Sequence, residues 1–300
     1  MKYDILTVFD ICVDLVMDLG DTVPEFGQKE KYVDSFALEM GGSNCIFACQ
    51  CAKLGLKTTG AGIVGEDAFG HLVTDTLAKC GVDISNIRTA CGIKTGLGLH
   101  LMRGNDRSIL TYSGSIGAVM PEHITDELLK SAKHLHIGSY YLLDGIRSYL
   151  PDILKRAKNF GLSTSLDTNW DPAEDWRLPD DILSCIDIIF PNYNEALLLT
   201  GCSDINDAVS ALADKVPVVA VKLGEDGGLV ESGGKRIKLP AVNVNVVDTI
   251  GAGDNFDAGF IYGYLKGFAI EDCLRAGIYC GSMSIKKAGG IAGQALIGDI

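Results

Sequence analysis

Positive charge and long apolar runs are what this 300-residue chain is short of. Lys and Arg number 26 against 39 Asp and Glu, for a formal net charge of −13 and a pI of about 4.8. No run of basic residues appears, which argues against a nucleic-acid phosphate backbone as partner. An anionic ligand has to be held by local groups, because the overall field opposes it. No stretch of about 18 apolar residues is present, so no membrane-spanning helix is expected. Residues 1–17 are apolar but interrupted by Asp4, Asp10 and Asp14, which argues against a signal-peptide core. Proline is scarce, at 8 residues, and neither a low-complexity tract nor an internal repeat is found. The 10 cysteines are scattered along a chain without a secretory leader, which points to reduced thiols and a cytoplasmic location. No Gly-x-Ser-x-Gly elbow and no Gly-x4-Gly-Lys-Ser/Thr loop occurs. His71, His100, His123, His134 and His136 lack metal-ligand spacing. Cys45, Cys49 and Cys51 fall on a predicted helix and read as core thiols.

What is present is a rhythm. The chain is 47% hydrophobic and long enough to bury a sizeable core. Strand-like segments at 5–9, 60–64, 134–137, 163–167, 186–190 and 216–222 alternate with helical ones such as 43–54 and 70–79. This predicts a mainly parallel, doubly wound α/β sheet covered on both faces, built from 1–11, 41–94 and 114–300. Residues 12–40 and 95–113 break the rhythm. They alternate apolar and polar, as in Leu15, Met17 and Leu19, then Tyr32, Phe36, Leu38 and Met40, and again Leu97, Leu99 and Leu101 before a Gly104-Asn105-Asp106 turn. Such alternation means half-exposed strands. Two inserted strand pairs read as one small β-sheet, a lid over an active site, whose exposed face seeks a second subunit.

Residues 248–260 carry the strongest signal: Asp-Thr-Ile-Gly-Ala-Gly-Asp-Asn-Phe-Asp-Ala-Gly-Phe. The turn Gly251-Ala252-Gly253 runs into Asp254 and then into a helical pattern of Phe256, Phe260 and Tyr264, with Gly267 as its stop. A turn at a helix N-terminus offers free N–H groups to an anion. Asp254 beside it is placed to take a hydroxyl proton, so the pair suits phosphoryl transfer to an alcohol. A tight turn capped by an acidic residue would explain a bare Gly-x-Gly-Asp equally well.

The longer string resembles the second signature of the ribokinase-like (PfkB) carbohydrate kinases, Asp-Thr-x-Gly-Ala-Gly-Asp-x-Phe-x-Ala-Gly-Phe, at every fixed position. The stretch from Gly41-Gly42-Ser43-Asn44 to Gly65-Glu66-Asp67-Ala68-Phe69-Gly70 resembles the first signature. Ile46 there replaces the usual Asn, which puts the sugar contacts of that turn in question. The resemblance spans Asp10 to Gly293. It implies an ATP-dependent kinase acting on a hydroxymethyl group of a sugar such as ribose, fructose or a keto-deoxy sugar acid, or on a nucleoside. Asp254 would be the base and Gly251, Ala252 and Gly253 the anion hole. Asp14, Gly41, Gly42 and Asn44, with Asp254, would bind the sugar under a closing lid. Asn192, Lys222, Gly224, Gly227 and Gly253 would bind the nucleotide. Glu195 would serve Mg2+ through water, and Asp248, with the 286–293 loop, a monovalent cation such as K+. Asp167 and Asn169 match an Asp-x-Asn element near the phosphates. Caps and turns account for Asn192, Glu195 and Gly41-Gly42 as simply. A sugar phosphate is disfavoured, since the lid segments hold few cations: Lys29, Lys31, Lys94, Arg103 and Arg107.

Two rivals come from other classes. Gly60-Ala61-Gly62-Ile63-Val64-Gly65, with Asp83 beyond it, matches the dinucleotide fingerprint of a dehydrogenase. The segment before it, 56–59, is short and polar, however, and the glycine string itself reads as the strand. A non-catalytic sugar-binding module would need neither Asp254 nor a nucleotide turn.

Overall fold

The computed structural model describes residues 1–104 and 106–299. Its first part holds β1 (Ile5–Val8), β2 (Cys12–Asp18), β3 (Ser35–Met40), α1 (Ser43–Lys53), β4 (Thr58–Gly65), α2 (Ala68–Lys79) and β5 (Ile87–Ala90). There follow β6 (Gly96–Arg103), β7 (Asp106–Tyr112), α3 (Asp126–Lys130), β8 (His134–Ile137), α4 (Asp144–Arg147), α5 (Leu150–Asn159) and β9 (Ser163–Leu166). The last part holds α6 (Asp180–Leu183), β10 (Ile188–Ile189), α7 (Tyr193–Thr200), α8 (Ile205–Ala213), β11 (Val218–Lys222), β12 (Gly228–Ser232), β13 (Lys235–Leu239), α9 (Ala252–Lys266) and α10 (Ile270–Ser284).

Nine strands form the main sheet, in the order β13-β12-β11-β10-β9-β8-β1-β4-β5. Pairings from β11 across to β5 are parallel; β12 and β13 add an antiparallel edge. From β1 the sheet grows one way through β4 and β5 and the other way through β8 to β11. The winding therefore reverses between β1 and β8, and ligands of open α/β sheets bind at such a point, beyond the carboxyl ends of the strands. Two apolar layers cover the faces. One packs Leu135, Ile137, Ile153, Leu154 and Leu212; the other packs Phe47, Phe190, Phe256, Phe260 and Leu274. Strands buried on both faces read as continuous apolar runs, which is why the β1 and β8 segments were legible in the sequence.

The expected strand at 186–190 shrinks to β10. The expected 163–167 strand stops at Leu166, which leaves Asp167 as the first residue of the following loop. The Gly60–Gly65 string lies inside β4, whose eight residues are all buried. A Cβ at Gly60 would meet the Phe9 ring at 2.5 Å and one at Gly62 the Ile11 side chain at 2.9 Å. These glycines make room for core side chains and form no turn at a helix N-terminus. This corrects the dehydrogenase alternative, which needs a loop there.

The inserted segments form a second, four-stranded sheet, β3-β2-β6-β7, in which β2 and β6 run parallel. Tyr32, expected within the alternation, precedes β3 and is 94% exposed. The expected Gly104-Asn105-Asp106 turn falls at Asn105, outside the described residues. One face of this sheet carries Leu15, Met17, Leu38, Leu99, Leu101 and Leu110. Its inner end, Val13, Met40 and Leu97, packs with Phe69 and Leu72 of α2. On its two edge strands Phe36, Leu110 and Tyr112 are more than half exposed.

Candidate active site

Five strand ends deliver the polar residues of one cleft. Asp10 follows β1, Ser139 follows β8, Asp167 and Asn169 follow β9, Asn192 follows β10, and Lys222 ends β11. Helices α1 and α9 bring Ser43 and Asp254 in from the N-terminal side. Sequence reasoning singled out Asp254, Asp167, Asn169, Asn192 and Lys222. It missed Asp10, Ser139 and Asp257 as parts of the site. The rule that ligands gather beyond strand ends would have found Asp10, two residues past β1.

Helix α9 starts as the sequence predicts. Gly251 is its N-cap, with φ of 72°, and no side chain caps the first turn. A left-handed N-cap suits glycine, and a Cβ there would also meet Gly290 Cα at 2.9 Å and Ile46 Cγ2 at 3.0 Å. The first-turn N–H groups have no intrahelical acceptors; Ala252 N donates to Thr249 O at 3.3 Å, and its neighbours in the turn are available to an anion. Ile46 thus has a place: it is buried against Gly251 and Gly290 and buttresses the turn from behind.

Asp254 is buried in this first turn, and its carboxyl is pushed up to about 7. Burial is the main cause, and the charges of Asp167 and Asp10 add to it. Lys222 and a hydrogen bond from Ser43 pull the other way. The Ser43 hydroxyl is itself oriented. Asn169 Nδ2 donates to Ser43 Oγ at 2.6 Å and to Ser139 Oγ at 2.9 Å, and Ser139 donates to Asp10 Oδ2 at 2.6 Å. Asp10 also accepts the N–H groups of Ser43 and Asn44, each at 2.9 Å. Burial still raises Asp10 to about 6. Ser139 and Asn169 hold φ of 52° and 53°, an uncommon conformation for such residues, which clusters here at the cleft.

Beneath the anion turn lies a buried ion cluster. Lys222 Nζ is 2.7 Å from Asp167 Oδ2 and 3.4 Å from Asp257. Burial disfavours its charge, but Asp167 and Asp257 outweigh that and keep Lys222 protonated far above its ordinary range. Asp167 stays ionised beside it, whereas burial, reinforced by Asp167, drives Asp257 well up. A Cβ on Gly253 would stand 3.3 Å from Lys222 Nζ. The bare face of Gly253 therefore lets the ammonium approach the first turn of α9.

Several residues expected to bind ligand are committed elsewhere. Asn44 is fully buried, and its Oδ1 accepts from Thr7 and from Gly138 N while Nδ2 donates to Gly138 O. It ties β1 to the end of β8, and its Oδ1 is spent on those two bonds. Asn192 and Glu195 form a reciprocal capping box on α7, with both bonds at 2.9 Å. Glu195 is nonetheless raised to about 7, by burial first and then by Asp167, so it lies within the field of the site. Gly224 opens a short turn with free space where a Cβ would be, whereas Gly227 is pressed under the backbone of Leu239 and Pro240. Asp248 accepts from Ile250 N and Gly289 N, both at 2.9 Å, and braces the 286–293 loop. No cluster of three acidic, His or Cys ligands is found among the described residues.

Gly41 and Gly42 are bare because the Asp14 carboxyl presses on the first and the Asp10 backbone carbonyl on the second. A Cβ on Gly41 would stand 2.4 Å from Asp14 Oδ1, and one on Gly42 would stand 2.6 Å from Asp10 O, at φ of 86°. Asp14 is accordingly buried, with its carboxyl against Gly41 just ahead of α1. The four cysteines on or beside α1, Cys12, Cys45, Cys49 and Cys51, are buried free thiols. His134 and His136 are locked to Ser163 and Ser165 within the sheet and are structural.

Residues 6–295 match the family model described as pfkB family carbohydrate kinase. The chain belongs to that family. This kinase is 28% identical over 265 residues to a ribokinase of Haemophilus influenzae, covering 85% of this chain and 84% of the relative. Among solved structures, Arabidopsis thaliana ribokinase complexed with ribose and ATP superposes with a TM-score of 0.86 at 26% identity, covering 98% of this chain and 96% of that one. The adenosine kinase of Sinorhizobium meliloti superposes with a TM-score of 0.85 at 25% identity, covering 97% and 96%. The fold is the ribokinase fold with its small separate sheet, and the protein is a sugar or nucleoside kinase. No helix is long and apolar enough to cross a membrane.

Proposed function

We propose that this kinase transfers the γ-phosphoryl group of ATP to a hydroxymethyl group of a sugar such as ribose, fructose or a keto-deoxy sugar acid. The observation that carries this reading is Asp254, a buried carboxyl raised to about 7 in the first turn of an uncapped helix at the switch point of the sheet. Asp254 accepts the hydroxyl proton as the phosphoryl group arrives, which a base poised near neutrality does well. The N–H groups of Gly251, Ala252 and Gly253 stabilise the phosphoryl oxygens, and Lys222 reinforces the positive potential from below. Asn192 and Gly224, just past the ends of β10 and β11, and Gly227, just before β12, are assigned to the nucleotide. Mg2+ keeps most of its waters and is bound chiefly through phosphates. Glu195 and Asp167, buried carboxyls within each other's field, would serve it from beyond its waters, since no closed protein cage is needed. Bound there, the ion would supply neutralisation of phosphate charge. Asp248, in its brace, marks the loop for a monovalent cation such as K+.

The second sheet serves as the lid over the acceptor. Its apolar outer face pairs with a second copy to give a homodimer, and the cytoplasm is the compartment the reading assigns. Light scattering at micromolar concentration is expected to show a dimer and Leu110→Asp a monomer; a monomeric wild type removes the dimer without touching the kinase reading. A nucleoside acceptor is the second reading, supported by the likeness to adenosine kinase.

A coupled ADP-release assay over sugars and nucleosides tests the reaction, together with calorimetry of ATP–Mg2+ against NAD(H). Binding of NAD(H) alone would overturn it. Gly253→Val crowds Lys222 and the anion turn. It is expected to abolish transfer in a protein whose circular dichroism is native, and normal kinetics in that folded variant would refute the anion site.

A further inference from the structure

Asp14 does not stand alone. His100, on β6, points from the same face of the small sheet, with Nε2 3.2 Å from Asp14 Oδ1. The two side chains are only 9% and 11% exposed. Gly98 lies between them, and a Cβ there would stand 2.7 Å from Asp14 Oδ1 and 3.1 Å from His100 Nε2, so the missing side chain is what lets the pair form. His100 Nδ1 is buried without a partner. A proton on Nε2 faces the carboxylate, and Nδ1 then buries only a lone pair rather than an unpaired N–H. His100 thus fixes one oxygen of Asp14. The remaining acceptor capacity of its carboxylate suits hydroxyl donors better than another anion.

The surroundings carry the same preference. Cys45 is raised by burial and then by three carboxylates, Asp10, Asp14 and Asp254. Glu39, opposite Asp14 in register, is raised by burial and then by Asp248 and Asp14. Among the described residues no Lys or Arg is bonded to Asp10, Asp14 or Asp254. Lys222 is spent on Asp167 and Asp257. Lys29 and Lys31 pair with Glu25. Lys94 lines a cavity with Leu97 and Tyr112, side chains of the opposite face. Arg107 is on the Asp14 face but opposite Met102, four residues beyond Gly98, about 13 Å along the strand.

We propose that the acceptor is an uncharged polyol, a sugar or nucleoside and not a sugar acid or sugar phosphate, whose hydroxyls donate to an Asp14 held in place by His100. The inference rests on the kinase reading above and narrows it. His100 is a positioning residue, acting through Asp14.

The test uses the full-length protein with D-ribose, D-fructose and adenosine against 2-keto-3-deoxygluconate and fructose 6-phosphate, by ADP release and by calorimetry without ATP. One neutral acceptor is expected to exceed both anions by about 100-fold or more in kcat/KM. His100→Leu is expected to raise the KM for that acceptor about tenfold with the KM for ATP unchanged, and His100→Gln, which restores a donor, to recover most of the loss. A preferred anionic acceptor overturns the substrate class and points to Arg107. An unchanged acceptor KM in folded His100→Leu, or an equal rise in the KM for ATP, overturns the role of His100. Should Leu fail to fold, His100→Gln and His100→Asn are compared instead, and equal acceptor KM values for the two overturn the pairing. Neutral sugar bound in calorimetry without ADP release from any acceptor would sink the kinase reading and leave the substrate class standing.

Discussion

Asp254→Asn is expected to lower kcat by at least about 100-fold, the low end for loss of a general base, with the KM for ATP near its wild-type value. The amide keeps the shape and the Ser43 contact but cannot take a proton. The wild-type profile should carry the same signature. Because burial, Asp167 and Asp10 lift this carboxyl from 3.8 to about 7, the base is protonated and idle in acid. In the free enzyme kcat/KM should therefore rise with pH through about 7 and level off above it. A variant with near-full turnover, or a wild-type profile flat between pH 5 and 8, would sink the assignment.

The same shift has a stability consequence of definite sign. Between about pH 4 and 7 the folded protein holds a proton on Asp254 that the unfolded chain has lost. Stability from this group is present in acid and disappears as pH rises through about 7. Asn has no such proton to lose. The thermal midpoint of Asp254→Asn should gain on wild type more at pH 8 than at pH 5, a stabilised but inactive protein. An equal difference at both pH values would mean that the carboxyl is not perturbed as described.

What was legible in the sequence follows from what local pattern can encode. The anion turn, the α9 start and the Gly267 stop are sequential features, and the structure forms each where expected. The separate small sheet was visible because half-exposed strands alternate. The position of Asn44 in the motif says nothing of which way its side chain turns; Thr7 and Gly138, distant in sequence, decide that. His100 and Asp257 were passed over for the same reason. Each gains its meaning from a residue on another element, Asp14 and Lys222 respectively, and no spacing rule joins them. Glu195 shows the opposite limit. The capping box is local and was foreseen as the plainer reading, and the structure forms it.

Lys222→Met should be the most damaging single change in the cleft. The ammonium is the partner of Asp167, and its loss leaves an ionised carboxylate buried at 1% exposure beside Asp257. Breaking a buried pair from one side typically costs about 3–5 kcal/mol, so urea unfolding should show a loss on that order. Activity should fall as well, for a separate reason. Lys222 is the cation that holds Asp254 down and the charge that underlies Gly253. Without it the acid limb of the pH profile should move to higher pH. The double variant Lys222→Met with Asp167→Asn separates the two effects. Removing both charges should restore much of the stability, because neutral groups of similar size replace the pair. It should not restore transfer, since the potential beneath the anion turn is still missing. If the double variant recovered activity together with stability, Lys222 would be a purely structural residue. The anion turn would then have to work through its backbone N–H groups alone.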